Sequence, residues 1–130
     1  MAGKRPSVIS GREFTVLKLI WQHGPLTVRE IRERLTRDEE IPYTSVLTLL
    51  QLMERKGYLR HKAEGNTYRY LARKTQQTMT RLLLRDFMGR FFDGSPEALV
   101  MGLAESVAVE PEVLEQLQDE LRKKREKRND

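Results

Sequence analysis

The sequence contains no cysteine, so it can form neither a disulfide nor a thiolate metal site. It also has no uninterrupted apolar run approaching the roughly 18 residues that a membrane span requires. Its first six residues lack the apolar stretch of a signal peptide. We therefore expect a cytoplasmic protein with no membrane partner.

Motifs for catalysis and metal binding are missing as well. No nucleophile–base pattern, glycine-rich phosphate loop or paired-acid motif occurs, so we predict no catalytic residues and no enzymatic activity. The two histidines, His23 and His61, lack a ligand spacing such as His-x-x-x-His. We expect neither a metal site nor any other cofactor.

The net charge of +5 is distributed unevenly over the 130 residues. Residues 1–73 contain 14 lysines and arginines against 8 acidic residues, whereas residues 74–121 contain 4 against 9. The early basic excess favours contact with nucleic-acid phosphates, although basic residues also solvate helices. A second basic run, at 122–128, is interpreted as a frayed, solvated end, with nonspecific DNA contact as the alternative.

The most informative pattern lies at residues 43–56. At 100° per residue its apolar residues share one face, Val46, Leu49, Leu50 and Met53. Its opposite side carries hydroxyl, amide and guanidinium groups, from Thr44, Ser45, Thr48, Gln51 and Arg55. A face that only meets solvent would more often carry glutamate and lysine. The pattern therefore predicts a helix that reads base edges in the major groove, with Arg55 at a phosphate.

The next segment predicts a basic β-hairpin with a tight turn at Gly65-Asn66. Arg60, Lys62 and Arg69 suit contact with the DNA backbone or minor groove, and an ordinary solvated strand face is the alternative. Tyr68 and Tyr70 occupy alternate positions of one strand. We expect them to pack against the helices and not to stack on bases.

Two other helices precede this region, and the second of them is short. Each begins with a capping box, at residues 10–13 and 27–30, and Gly24-Pro25 ends the first. The first helix is predicted to bury Phe14, Leu17, Ile20 and Trp21. The acidic residues 38–40 are predicted to form a surface turn. Three helices followed by a hairpin predict a mainly α fold with a β-hairpin wing, in which a winged helix-turn-helix domain covers residues 1–73.

Residues 74–130 predict three amphipathic helices, beginning near Thr75, Ser95 and Glu110. Together they are too short to bury their apolar faces within one chain, so we expect a helical dimerisation domain and a homodimer. Packing onto the chain's own first domain is the alternative. The expected dimer contacts are Leu83, Phe87, Phe91, Leu99, Leu103, Leu114, Leu117 and Leu121.

The chain resembles the penicillinase-repressor family of bacterial regulators (the BlaI/MecI type, with copper-responsive CopY-type members). The resemblance covers about residues 7–125 and combines Trp21, Thr44-Ser45-Val46 with Thr48 and Leu50, Arg55-Lys56-Gly57, and residues 65–70. It implies a homodimeric repressor that binds a pseudo-palindromic operator on double-stranded DNA. It also implies DNA reading by Thr44, Ser45, Thr48 and Gln51.

The sequence departs from this family in three places. Leu52 replaces an arginine that is common in the family, and Leu47 replaces an arginine that some members have. Both leucines flank the polar face and suit contact with a thymine methyl group. Gly102-Leu103 aligns with the Asn-Phe bond at which a sensor protease cuts some members, which argues against that mode of induction. The missing cysteine pairs exclude copper sensing by the family's route.

These patterns leave the operator, the regulated genes, the inducing signal and any upstream sensor open. Two alternatives to a plain repressor also remain. One is a regulator that releases DNA when it binds a small molecule, and the other is a winged-helix module that binds proteins.

Overall fold

A computed structural model describes residues 9–35 and 40–129 of the chain, and the predicted acidic turn at 38–40 lies largely outside them. The chain divides into two compact units, with the boundary between Arg81 and Leu82. The described elements are α1 (Gly11–His23), β1 (Leu26–Thr27), α2 (Val28–Leu35), α3 (Tyr43–Arg55), β2 (Leu59–Glu64), β3 (Thr67–Ala72), α4 (Gln76–Phe91), α5 (Pro96–Ser106) and α6 (Pro111–Asn129). The mainly α fold with a hairpin wing is confirmed.

Both predicted capping boxes are present. The Ser10 hydroxyl accepts from the Glu13 amide at 3.1 Å, and the Glu13 carboxylate accepts from the Ser10 amide at 2.8 Å. Thr27 and Glu30 exchange the same two bonds, at 3.2 and 2.8 Å. These bonds satisfy backbone donors that a helix start leaves unpaired, which fixes where α1 and α2 begin.

The sheet has three strands in the order β1-β3-β2, and both pairings are antiparallel. The hairpin was predicted, but β1 was not, because a strand of two residues shows no alternation. In β1, Leu26 lies opposite Tyr70 and Thr27 opposite Arg69. This pairing fastens the hairpin to the loop between α1 and α2.

The core of the first unit is formed by apolar side chains from α1, α2, α3 and the sheet, together with Met79 from the start of α4. Its largest fully buried members are Tyr70, Leu17, Ile31, Leu50, Met53, Leu59, Val16 and Val46. Phe14 and Trp21, which were predicted to be buried, are only half-buried. The Trp21 indole stays at the surface because its N–H donates to the Lys74 carbonyl, 3.0 Å away.

The second unit comprises the end of α4, α5 and α6. The predicted Ser95 cap is confirmed, since its hydroxyl accepts from the Ala98 amide at 3.1 Å, and Pro96 occupies the first turn of α5. No residue of α5 or α6 is buried. The prediction that residues 122–128 are frayed is wrong, because α6 remains helical to Asn129, although these residues are exposed as a solvated end would be.

Candidate nucleic-acid interface

The helix α3 separates its apolar and polar residues as the sequence predicted. Val46, Leu50 and Met53 are at most 1% exposed. The five polar residues proposed to meet DNA, Thr44, Ser45, Thr48, Gln51 and Arg55, are all exposed. Burial of one face fixes the rotation of the helix, so the hydroxyl, amide and guanidinium groups are held on the outside of the first unit.

The two leucines beside this polar face differ in exposure. Leu47 is half-buried, whereas Leu52 is 37% exposed. Leu52 also lines a shallow groove of about 270 Å³, together with Ser45, Thr48 and Leu49. An apolar side chain next to hydroxyl groups is suited to a surface that offers both methyl groups and hydrogen-bonding atoms, as the major groove does.

The wing presents two cations to solvent. Arg60 and Lys62 are exposed on β2, and the side chain of neither forms an ion pair or hydrogen bond with another residue that the structure describes. Their alternation places both on the same face of the strand. Long cationic side chains without an internal partner are available for phosphate contact.

Arg69 is placed differently, although the sequence grouped it with Arg60 and Lys62. One of its Nη atoms donates to Glu30 Oε1 and to the Pro25 carbonyl, each at 3.0 Å, and its Nε donates to Glu64. The hydrogen bond to Glu64 raises the pKa of Arg69, and the same contact lowers the pKa of Glu64. This guanidinium therefore joins β3 to the start of α2 and to the hairpin tip.

A second connection links the wing to α3. The Nδ1 atom of His61 lies 2.7 Å from Glu54 Oε2, and the His61 ring packs against Tyr68 with centroids 4.4 Å apart and the ring planes tilted by 39°. The prediction for the two tyrosines is half right, because Tyr70 is buried but Tyr68 is 50% exposed. Burial is the main cause that raises the pKa of Tyr70, and the nearby carboxylate of Glu54 raises it further.

Sequence reasoning treated His61 as isolated and missed this connection. The signal that would have revealed it is strand alternation. His61 shares a strand face with Leu59, which points to the helices, and Glu54 stands at the end of the helix that precedes the hairpin.

The C-terminal end of α3 is also tied to α1. Lys56 Nζ lies 2.9 Å from Glu13 Oε2, and the Glu13 side chain is only 3% exposed. Burial alone would raise the pKa of Glu13, but hydrogen bonds from the Ser10 amide and from Lys56 outweigh it, and the pKa is lowered. This ion pair holds the end of α3 that carries Arg55.

Apolar side chains are exposed throughout the second unit. Leu83 and Leu99 are half-buried. The other six residues predicted for dimerisation are 41–69% exposed, namely Phe87, Phe91, Leu103, Leu114, Leu117 and Leu121. These exposed apolar side chains make the second unit a candidate interaction surface.

Within residues 9–35 and 40–129, no group of three or more histidine, aspartate or glutamate residues is arranged to hold a metal ion. None of the helices in these ranges combines the length and apolar character needed to cross a bilayer.

Comparison with known proteins places the chain among repressors. A model of the penicillinase repressor family matches residues 9–123. The penicillinase repressor of Bacillus licheniformis is 25% identical over 114 residues, covering 88% of this chain and 89% of the relative. The transcriptional regulator BlaI of Mycobacterium tuberculosis is 28% identical over 100 residues, covering 75% of this chain and 72% of the relative.

Two solved structures match the chain, and the first of them is similar in fold. The transcriptional regulator Tm0710 from Thermotoga maritima has a TM-score of 0.51 and 18% identity, covering 93% of this chain and 78% of that one. The DNA-binding domain of the repressor BlaI has a TM-score of 0.49 and 27% identity, covering 56% of this chain and 88% of that one. Because the family match extends over most of the sequence, the protein belongs to the penicillinase repressor family, whose members are transcriptional repressors and not enzymes.

Proposed function

We propose that the protein is a homodimeric repressor that acts in the cytoplasm by occupying a pseudo-palindromic operator. In each half-site α3 enters the major groove and the wing follows the backbone. The observation that carries this proposal is the outward polar face of α3, held by a buried face on one side and flanked by the wing cations Arg60 and Lys62.

Base reading is assigned to the outer residues of α3, which are Thr44, Ser45, Leu47, Thr48 and Gln51. Hydroxyl and amide groups hydrogen-bond to base edges, and Leu47 meets a thymine methyl group. Arg55 contacts phosphate from the end of the helix. On the wing, Arg60 and Lys62 contact the backbone directly, whereas Arg69 contributes by holding the wing through Glu30 and Glu64.

Dimerisation is assigned to the second unit. Its apolar side chains lie on all three helices, and no residue of α5 or α6 is buried within one chain. A twofold partner that offers the same surface would cover them, as is usual for homo-oligomers. The dimer would then set the spacing between the two half-sites.

Selection of bound fragments from a genomic DNA pool tests DNA reading. We expect enrichment of a pseudo-palindrome, and the double variant Thr48→Ala/Gln51→Ala should lose the preference for it by at least about tenfold. The matched control is Thr80→Ala/Gln77→Ala, which removes the same two side chains from exposed positions of α4. No enriched sequence, or equal losses in both variants, would contradict the proposal.

Sedimentation of the full chain tests the dimer. We expect a dimer that Leu117→Glu/Leu121→Glu converts to a monomer, because a buried unpaired charge is costly at an interface. Gln116→Glu on the same helix introduces charge away from the apolar stripe and should leave the dimer intact. A monomeric wild-type chain would refute this part of the proposal.

The wing variant Arg60→Gln/Lys62→Gln tests whether the protein acts by binding DNA or is a winged-helix module that binds proteins. We expect it to bind the selected DNA more weakly and to lose repression in cells. Unchanged repression would favour a protein-binding module.

A further inference from the structure

We propose that the cationic end of α6, residues 122–128, is a second and sequence-independent contact to duplex DNA. The inference rests on the proposed function only in taking DNA as the partner of the chain. It requires neither a particular operator nor base reading by α3.

The first observation is the density of charge. Six of the seven residues in the cationic end are lysine or arginine, and Glu126 is the exception. All seven are exposed, and α6 remains helical through them to Asn129. A helix fixes these charges at a rise of about 1.5 Å per residue, which gives a compact cationic surface.

The second observation is that most of these charges have no internal partner. Arg122 lies 3.5 Å from Asp119, and Lys123 lies 3.6 Å from Glu120. The remaining four cations form no ion pair with any residue that the structure describes; they are Lys124, Arg125, Lys127 and Arg128. Favourable interaction with the helix dipole is confined to the last turn, so it accounts for Lys127 and Arg128 but not for the cations before them.

The third observation concerns the apolar stripe of α6. At 100° per residue its members lie on one side of the helix, at positions 113, 114, 117 and 121. Lys124 and Arg128 continue the same line, so the stripe ends at Leu121 and its face becomes cationic. The last two turns therefore cannot extend an apolar contact between two copies, and their face is suited to a partner of opposite charge.

Duplex DNA fits this surface better than a carboxylate pocket would. The cations point to several sides of the helix, and a closely spaced row of phosphates accepts cations in many orientations. The chain belongs to a family of DNA-binding repressors, so DNA is present whenever the protein acts. The contact would raise affinity for any duplex without adding sequence preference.

The test measures affinity of the full chain for a mixed-sequence duplex as a function of salt. The variant Lys124→Gln/Arg125→Gln/Lys127→Gln/Arg128→Gln keeps good helix formers, and circular dichroism checks that helicity is retained. We expect the slope of log affinity against log salt to become shallower by about 2 to 4 per chain. An unchanged slope would overturn the proposal. It would mean that the cationic end is either only solvated or binds an acidic protein in place of DNA.

Two further double variants change the net charge equally, so comparing them separates a local DNA contact from an effect of net charge. Asp119→Asn/Glu120→Gln releases Arg122 and Lys123 and should steepen the slope. Glu112→Gln/Glu115→Gln changes the charge of the same helix equally but near its other end, and should have a smaller effect. Equal effects would contradict a local contact. Failure of base reading would appear separately, as an unaltered site preference in Thr48→Ala/Gln51→Ala.

Discussion

The ammonium group of Lys56 lies 2.9 Å from Glu13 Oε2, so the end of α3 is joined to the first turn of α1. Glu13 also accepts from the Ser10 amide and is 2% exposed. One carboxylate thus caps α1 and anchors the helix to which we assign base reading.

Replacing Lys56 should therefore destabilise the first unit. Lys56→Met leaves a buried carboxylate without its cation, and we expect the free energy of unfolding to fall by about 1 to 3 kcal/mol. Lys18→Met removes an exposed lysine from α1 and should change the free energy of unfolding by less than about 0.5 kcal/mol. Urea unfolding of both variants measures the difference, and similar losses would show that the ion pair contributes little.

Glu13 should also make stability depend on pH. Its pKa is lowered in the folded chain, so folding favours the ionised carboxylate. Its contribution is present above the ordinary pKa of 4.5 and is lost as pH falls through the lowered value. We expect Glu13→Gln to be less stable than wild type at neutral pH and to lose less stability on acidification. Parallel pH profiles of unfolding would contradict this assignment.

Variants of Arg69 and Arg60 should differ, because we assign Arg69 to holding the wing in position and Arg60 to contact with phosphate. Arg69→Gln removes bonds to Glu30, Glu64 and the Pro25 carbonyl, and should lower the free energy of unfolding more than Arg60→Gln does. Arg60→Gln should leave stability within about 0.5 kcal/mol and make the salt slope of DNA binding shallower by about 0.9. Urea unfolding and binding titrations test both, and a shallower slope with unchanged stability in Arg69→Gln would assign that residue to phosphate.

The contact between His61 and Glu54 should appear as an energetic coupling. In a double-mutant cycle, Glu54→Gln and His61→Gln should be non-additive in unfolding free energy by about 0.5 to 1 kcal/mol, because their side chains meet at 2.7 Å. Glu54→Gln combined with Arg60→Gln provides the control, since those two side chains form no bond. An additive first cycle would show that the hydrogen bond does not hold the wing to α3.

Much of the site could be predicted because its signals are local. The polar face of α3 follows from a period of 3.6 residues, and each capping box lies within four residues of sequence. The hairpin follows from its turn and flanking strands. The two-residue strand β1 could not be predicted in this way, because only its pairing with β3 makes it a strand.

The sequence by itself determined the helices, their caps, the hairpin and which residues of α3 share a face, because these properties depend on neighbours within one or two turns. Only the tertiary structure decided which cations have internal partners. Arg69 meets Glu30 across 39 residues and Lys56 meets Glu13 across 43, whereas Arg60 meets no charged partner among the described residues. Such pairings join residues far apart along the chain and depend on how the helices and strands pack, which the spacing of residues does not encode.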